Sequence, residues 1–469
     1  MNKYKKLVNN SLVFAIGNLG TKLIIFFLLP IYTYYLSKSE FGLVDLLTTT
    51  ISLLIPIFTL SIFDSVLRFA MDKNYDKQEI LINSFVVILI GFILLVMFYP
   101  IISHFLPFEN YIIYFYILIL FQSIYTTLSQ YIRAIGLISL FAFSGIFNAM
   151  ILLVSNVFLL IIFHTGIVGY LTSLIITNLI SCLFIIIKGK VEKDLVFNKI
   201  NIKLMKEMVL YSIPLIPNAL MWWIMSFSDR FIISYLIGLS ANGIYAVASK
   251  IPSILNIFNS IFFQAWQMSA IEEKESKDKT EFFSKVFNVF SIFMLISTSF
   301  ILAHLKLIIG IFIADSFFES WKYVPFLLLG VVFSSFSGFL GTNYIAAKKT
   351  TGVFRTSLIG AILNVCTNLL LIPIIGINGA TIGTMLSFLV IWILRIIDTK
   401  KFVNIIFNIR NLILTLIVLL IQIGIMYLNS SFEYCFEIGL FLILILINRI
   451  EINEILVRLR NMLRDRRKV

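Results

Sequence analysis

The 469-residue chain is 60% hydrophobic and only 13% charged, with a mean hydropathy of +1.00. Soluble proteins average about 45–50% apolar and about 25% charged residues, so a soluble globular enzyme is excluded and a multi-pass membrane protein is implied. The formal charge of +13 would suit a nucleic-acid partner, but the basic residues are spread in a pattern that argues against one.

The apolar stretches are long and lack a period of two, which excludes a membrane β-barrel and predicts an all-α integral membrane protein. About 14 transmembrane helices are expected. Taking roughly 20 apolar residues per crossing, they fall at about 12–36, 42–69, 80–103, 111–130, 137–163, 166–187, 209–238, 242–269, 283–305, 323–346, 353–373, 378–398, 411–428 and 433–448. The first follows Lys3, Lys5 and Lys6 as a signal peptide would. It is too long for one and lacks a small-residue cleavage site, so it is expected to remain as the first helix.

Several spans carry polar groups that a bilayer disfavours. Lys22 sits mid-span in the first, with Asn18 one turn before it. Asp45 and the Thr48–Thr50 run open the second, and Asp64 and Arg68 near its far end are spaced i, i+4, where they can pair. The seventh and eighth spans join through a Gly/Ser/Asn corner at 238–242 and hold Asn218, Asp229, Arg230 and Lys250. An ionisable group at bilayer depth costs at least ~2.5–3.5 kcal/mol, so each should have a partner and usually a role. At 1.5 Å per residue, Asp229 lies roughly 13 Å and Lys250 about 12 Å from the corner. Asp229 and Arg230 are about 100° apart on their helix. On this reading Asp229 partly neutralises a basic pair, and net positive charge faces an internal cavity. Pro214, Pro217, Pro252 and Pro373 are expected kink points.

The charge pattern orients the chain. With the N-terminus cytoplasmic, the inner connections hold most Lys and Arg, including Lys188, Lys190, Lys193 and Lys199, and the tail adds Arg464, Arg466 and Arg467. The outer loops hold only Lys38, Lys306 and Lys322. This is a positive-inside pattern with both termini cytoplasmic. The positive charge thus reflects topology and attraction to anionic lipid, not nucleic acid. From Asn448, an amphipathic helix carrying Ile452, Ile455, Leu456, Leu459 and Leu463 on one face is expected. Residues 36–42 (Leu-Ser-Lys-Ser-Glu-Phe-Gly) align with 237–243 (Ile-Gly-Leu-Ser-Ala-Asn-Gly), which suggests two parallel repeats. The expected organisation is a six-helix lobe at 1–188, a basic cytoplasmic linker at 189–208, a second six-helix lobe at 209–400, and two additional helices with a basic tail at 401–469.

Residues 211–218 (Tyr-Ser-Ile-Pro-Leu-Ile-Pro-Asn), Ser228-Asp229-Arg230, Gly243-Ile-Tyr-Ala246 and Lys250-Ile-Pro252 resemble the seventh and eighth helices of Wzx-type lipid-linked oligosaccharide flippases. Pro30-Ile-Tyr32 through Ser39-Glu-Phe-Gly42 resembles the first hairpin of the same group, which belongs to the multidrug/oligosaccharidyl-lipid/polysaccharide exporter superfamily. The resemblance implies two lobes around a central cavity lined by the first and second helices of each. It also implies a polyprenyl-diphosphate oligosaccharide cargo carried across the cell membrane for polysaccharide synthesis, with a polymerase and chain-length machinery as partners. Lys22, Arg230, Lys250, Asn18 and Asn218 would then meet the headgroup, since Lys and Arg replace the water a diphosphate loses. Asp229, Asp45, Asp64 and Arg68 would serve charge pairing or coupling. In the structural alternative, Lys22 snorkels and the other charges only hold helices together.

No phosphate-binding Gly loop, zinc spacing or large hydrophilic domain is present, so no enzyme, cofactor or metal is expected. Cys182, Cys366 and Cys435 are isolated, giving no disulfide framework. A multidrug cation antiporter of the same superfamily is the main rival, although such a transporter should favour acidic cavity residues. A polysaccharide polymerase is disfavoured because the longest outer loop offers only Asp315 and Glu319.

Overall fold

A computed structural model describes residues 3–272, 278–346 and 351–453. Those residues form helices and turns without a strand. The longer helices are α1 (Lys3–Tyr35), α2 (Lys38–Phe58), α3 (Ile62–Ala70), α4 (Lys77–Met97), α5 (Tyr99–Phe105), α6 (Ile112–Ala134), α7 (Ile138–Asn156), α8 (Gly166–Gly189), α9 (Ile202–Ser212), α10 (Ile216–Leu236) and α11 (Leu239–Lys250). They continue as α12 (Ser253–Glu272), α13 (Lys279–Ala303), α14 (Leu305–Phe312), α15 (Val324–Ala346), α16 (Thr351–Ile375), α17 (Ile377–Thr399), α18 (Ile409–Leu428) and α19 (Glu433–Ile447).

Eleven of these helical stretches are long and apolar enough to cross a membrane among the described residues, or 12 if one bent pair counts as a single span. Two of the 14 expected spans are not among those counted. The apolar described part of α1 is Leu19–Tyr35, and α19 has 15 residues. The bent pair is α11 with Ser253–Phe263, at 45°. Pro252 sits at the break, as expected of a residue that cannot donate to the helix ladder. The second expected span is also interrupted: α2 stops at Phe58, and Leu60 and Ser61 take positive φ (53° and 50°) before α3 begins. Residues from 454 onward, which include most of the expected amphipathic tail helix, lie outside the described residues.

The chain divides into two compact units, Met1–Ala246 and Val247–Val469. In the first, one core cluster holds Ile62, Val66, Leu128, Tyr131 and Met208, and another holds Leu47, Ile51, Phe115 and Leu171. Buried amides link helices here: Asn148 donates to Ser181 at 3.0 Å and Asn156 to the Tyr32 hydroxyl at 3.3 Å. The second unit packs aromatic rings, with Trp266 stacked on Phe339 at 4.3 Å and donating to Thr342 at 2.8 Å. Asn364 and Asn368 are buried there, bonded to Thr384 and to each other, so this amide pair serves packing.

The segment 189–208, expected as a linker, is docked on α4. Asn201 caps α9 and donates to Glu79 at 2.8 Å, and the Lys199 ammonium donates to Asp76 at 2.5 Å. Asp76 also accepts the Gln78 N–H that starts α4. The Lys199 bond, and after it the Gln78 N–H, hold the Asp76 carboxyl below the usual carboxylate range. A depressed carboxyl stabilises fully above its unfolded pKa of about 3.9, and the contribution is lost as pH falls through the lower folded value. Both side chains are about two-fifths exposed, so water screening keeps the effect under about 1 kcal/mol. Asp76→Asn should therefore lower the unfolding midpoint slightly at pH 7 and leave it unchanged near pH 2. An equal loss at both pH values would rule out the charge as the cause.

Candidate functional site

The buried charges of the first unit converge on Arg230. Asp45 on α2 and Asp229 and Arg230 on α10 are 8%, 2% and 6% exposed. Arg230 Nε donates to Asp45 Oδ2 at 2.7 Å. Its Nη1 reaches Asp229 Oδ1 at 3.3 Å and the Ser226 carbonyl at 3.0 Å. The Tyr245 hydroxyl on α11 donates to the other Asp229 oxygen. The guanidinium also lies over the Phe227 and Tyr245 rings, 5.0 and 5.5 Å from their centroids. Alongside, the Trp223 indole N–H donates to the Thr49 carbonyl and the Ser52 hydroxyl, both at 3.0 Å, tying α10 to α2 again.

Local sequence explains how these side chains meet. Ser37 and Glu40 form a capping box that starts α2. Gly238, at φ 127°, makes the corner between α10 and α11 that a residue with a side chain would strain. Gly42 on α2 then lies directly against Gly243 on α11. A Cβ on Gly42 would overlap the Leu239 carbonyl and sit 2.7 Å from the Gly243 nitrogen. One on Gly243 would overlap the Lys38 carbonyl and sit 3.1 Å from the Gly42 nitrogen. Asn242 seals the pair by donating to the Gly42 carbonyl at 2.8 Å.

This contact is reciprocal. One offset of 201 residues (239 minus 38, 243 minus 42) carries Lys38 to Leu239 and Gly42 to Gly243, and it carries the end of α1 at Tyr35 to the end of α10 at Leu236. Each glycine faces the counterpart of what the other faces, the signature of a two-fold contact. The charges break that symmetry, because the same offset pairs Asp45 with Ala246 and Leu29 with Arg230.

The other expected site residues are placed differently. Lys22 is half-buried on α1. Asn18 lies on α1, but its side chain is outside the described residues. Asn218 is exposed on the first turn of α10. Lys250 ends α11 and belongs to the second unit. Arg68 pairs with Asp72 at 3.8 Å, one turn along the chain from it, and not with Asp64. Arg230 bonds two buried carboxylates, one on α2 and one on its own helix. Its geometry is that of a helix cross-link and not of a cation facing open space.

Sequence reading passed over Arg395. It is 2% exposed on α17, and it donates to Ser337 O at 2.8 Å, Thr356 Oγ1 at 3.0 Å and Ser357 Oγ at 3.1 Å. The available signal was an arginine closing an otherwise apolar run from Ile377.

The family profile of polysaccharide biosynthesis proteins matches residues 7–267, more than half of the chain and inclusive of this cluster. The chain belongs to the polysaccharide biosynthesis protein family. This agrees with the resemblance carried by the α10–α11 motifs. An uncharacterized membrane protein of Methanocaldococcus jannaschii, MJ1068, is 27% identical over 235 residues. That match covers 46% of this chain and 45% of the relative, so the chain spans about half the length of the curated relative it matches.

Among solved structures, the lipid II flippase MurJ in an inward closed conformation aligns over 96% of this chain and 100% of its own, with a TM-score of 0.71 and 14% identity. An inward-facing multidrug resistance MATE family transporter of the MOP superfamily aligns over 83% of this chain and 98% of its own, at 0.67 and 13%. A MOP superfamily transporter from Pyrococcus furiosus aligns over 84% of this chain and 96% of its own, at 0.58 and 13%. At these identities the likeness is one of fold: an all-α, multi-pass membrane transporter fold.

Proposed function

We propose that this family member is a flippase that moves a polyprenyl-diphosphate-linked oligosaccharide across the cell membrane by alternating access, for surface polysaccharide synthesis. The observation that carries this reading is the family match across residues 7–267. The fold likeness along nearly the whole chain to a protein named as a lipid II flippase supports it. Lys22 and Lys250 are assigned to the diphosphate headgroup, since an ammonium replaces lost hydration as a point charge. Arg230, held by Asp45 and Asp229, is assigned to charge pairing. Both termini are taken as cytoplasmic from the basic loops. A polysaccharide polymerase and chain-length machinery would act on the delivered cargo.

The multidrug antiporter remains the second reading because the same fold occurs in MATE transporters. The deciding experiment follows leaflet exposure of a labelled polyprenyl-diphosphate oligosaccharide in proteoliposomes. Wild type should translocate it, and Lys22→Ala with Lys250→Ala together should slow it at least tenfold. Undiminished translocation by the double variant would return both lysines to a structural role. Export of an organic cation without movement of any lipid-linked sugar would move the protein to the antiporter branch.

A further inference from the structure

A groove of about 470 Å³ runs along the first unit between the end of α2, α4 and α9. Local features shape it. The positive-φ turn at Leu60 and Ser61 ends α2 and leaves Phe58 at one wall. On α4, Gly91 lets the Phe58 carbonyl approach so closely that a Cβ there would overlap it. Helix α9 turns Leu204 and Met208 inward and presents Met205, Lys206 and Val209 to the groove. Ile90 and Leu94, 49% and 47% exposed, form the opposite wall. Lys206 is the one ionisable residue in a lining that is otherwise apolar. It makes no hydrogen bond or ion pair within the described residues.

We propose that this groove holds one acyl chain of an anionic glycerophospholipid, with the lipid phosphate on the Lys206 ammonium. In a protein with this many apolar spans, an open apolar channel meets hydrocarbon and not water. Its volume lies within the roughly 300–1,000 Å³ range of small-ligand sites. A lysine places its methylene stem along apolar surface and its ammonium at the headgroup level, which sets the position of the phosphate. The charge count selects the lipid. One ammonium balances one phosphodiester, whereas a diphosphate would bring further charge that nothing else in this lining offsets. The inference stands apart from the transport reading: the groove lies in α2, α4 and α9 and uses neither Lys22 nor Lys250.

The test is native mass spectrometry of the full chain released from nanodiscs containing equal phosphatidylglycerol and phosphatidylcholine. Wild type should retain one phosphatidylglycerol with about a fivefold preference over phosphatidylcholine, the scale of one Lys at a lipid surface. Lys206→Arg should keep that preference and Lys206→Glu should abolish it. Met205→Trp, which fills the groove and leaves Lys206 in place, should lower retention of both lipids. Lys206 is exposed, so its variants leave the core intact. Equal retention of the two lipids by wild type would overturn the proposal, as would a preference that survives Lys206→Glu. Displacement of phosphatidylglycerol by an added polyprenyl diphosphate would also overturn it, assigning the groove to the carrier tail. A protein that shows the preference yet moves no cargo leaves this inference intact and overturns only the flippase.

Discussion

Arg230→Met should lower stability by about 3–5 kcal/mol, the cost of removing one partner from a buried ion pair. Methionine keeps an unbranched apolar stem but removes the guanidinium that Asp45 and Asp229 share. Both are under 10% exposed, so water cannot take over the solvation that the guanidinium provides. Removing a carboxylate should cost less. In Asp45→Asn or Asp229→Asn the arginine keeps its other acid and the Ser226 carbonyl. Arg230→Lys should recover only part of the loss, because one ammonium cannot reproduce the planar fork that reaches both acids and lies over Phe227. Thermal unfolding of the purified protein in detergent measures the series. Adding Asp45→Asn to Arg230→Met should cost less than the two separate losses combined, because both act on one contact. An Arg230→Met midpoint matching that of wild type would mean that the cluster carries little of the stability, and the case for a cross-link would fall.

The second large effect is expected at the glycine contact. Gly42→Val should push α2 and α11 apart, because the first added carbon already overlaps the Leu239 carbonyl. Backbone cannot rotate away as the end of a flexible side chain can. Overpacking typically costs about 1–3 kcal/mol, and here it should also break the Asn242 hydrogen bond to Gly42. Gly243→Val should cost a similar amount, since its Cβ overlaps the Lys38 carbonyl. The double variant should cost clearly less than the two losses combined, because one separation of the helices relieves both clashes. The readout is again the unfolding midpoint, and strict additivity would show that the two glycines do not share one contact.

The sequence disclosed the second of these features only in part. Aligning residues 36–42 with 237–243 gave the repeat, and the structure keeps that register to the residue. Nothing in the alignment said that the two copies touch each other at their glycines. The positions of the embedded charges were equally plain, because a lone Asp or Arg stands out in an apolar run. Their partners were not. Asp45 and Arg230 are 185 residues apart, and the expectation set only Asp229 against the basic pair of Arg230 and Lys250. The i, i+4 spacing of Asp64 and Arg68 permitted a pair, but Arg68 instead meets Asp72 at the same spacing in the other direction. Helical spacing lists which neighbours are within reach and does not choose among them.

What the sequence determined by itself was the solvent and the element type. Some 60% apolar residues in long runs can be satisfied only by helices in hydrocarbon, since each helix bonds its own backbone groups. Pro252 and Gly238 marked a break and a corner, because the limits they place on the backbone are local. Tertiary structure alone decided which charge neutralises which, how closely the Gly42 and Gly243 backbones approach, that Arg395 is held without a carboxylate, and that Gly91 and the Leu60–Ser61 turn open a groove beside Lys206. These depend on the packing of helices distant in sequence. The energy of a buried charge or of a close backbone contact is set by whatever lies opposite it, and one-dimensional spacing does not contain that information.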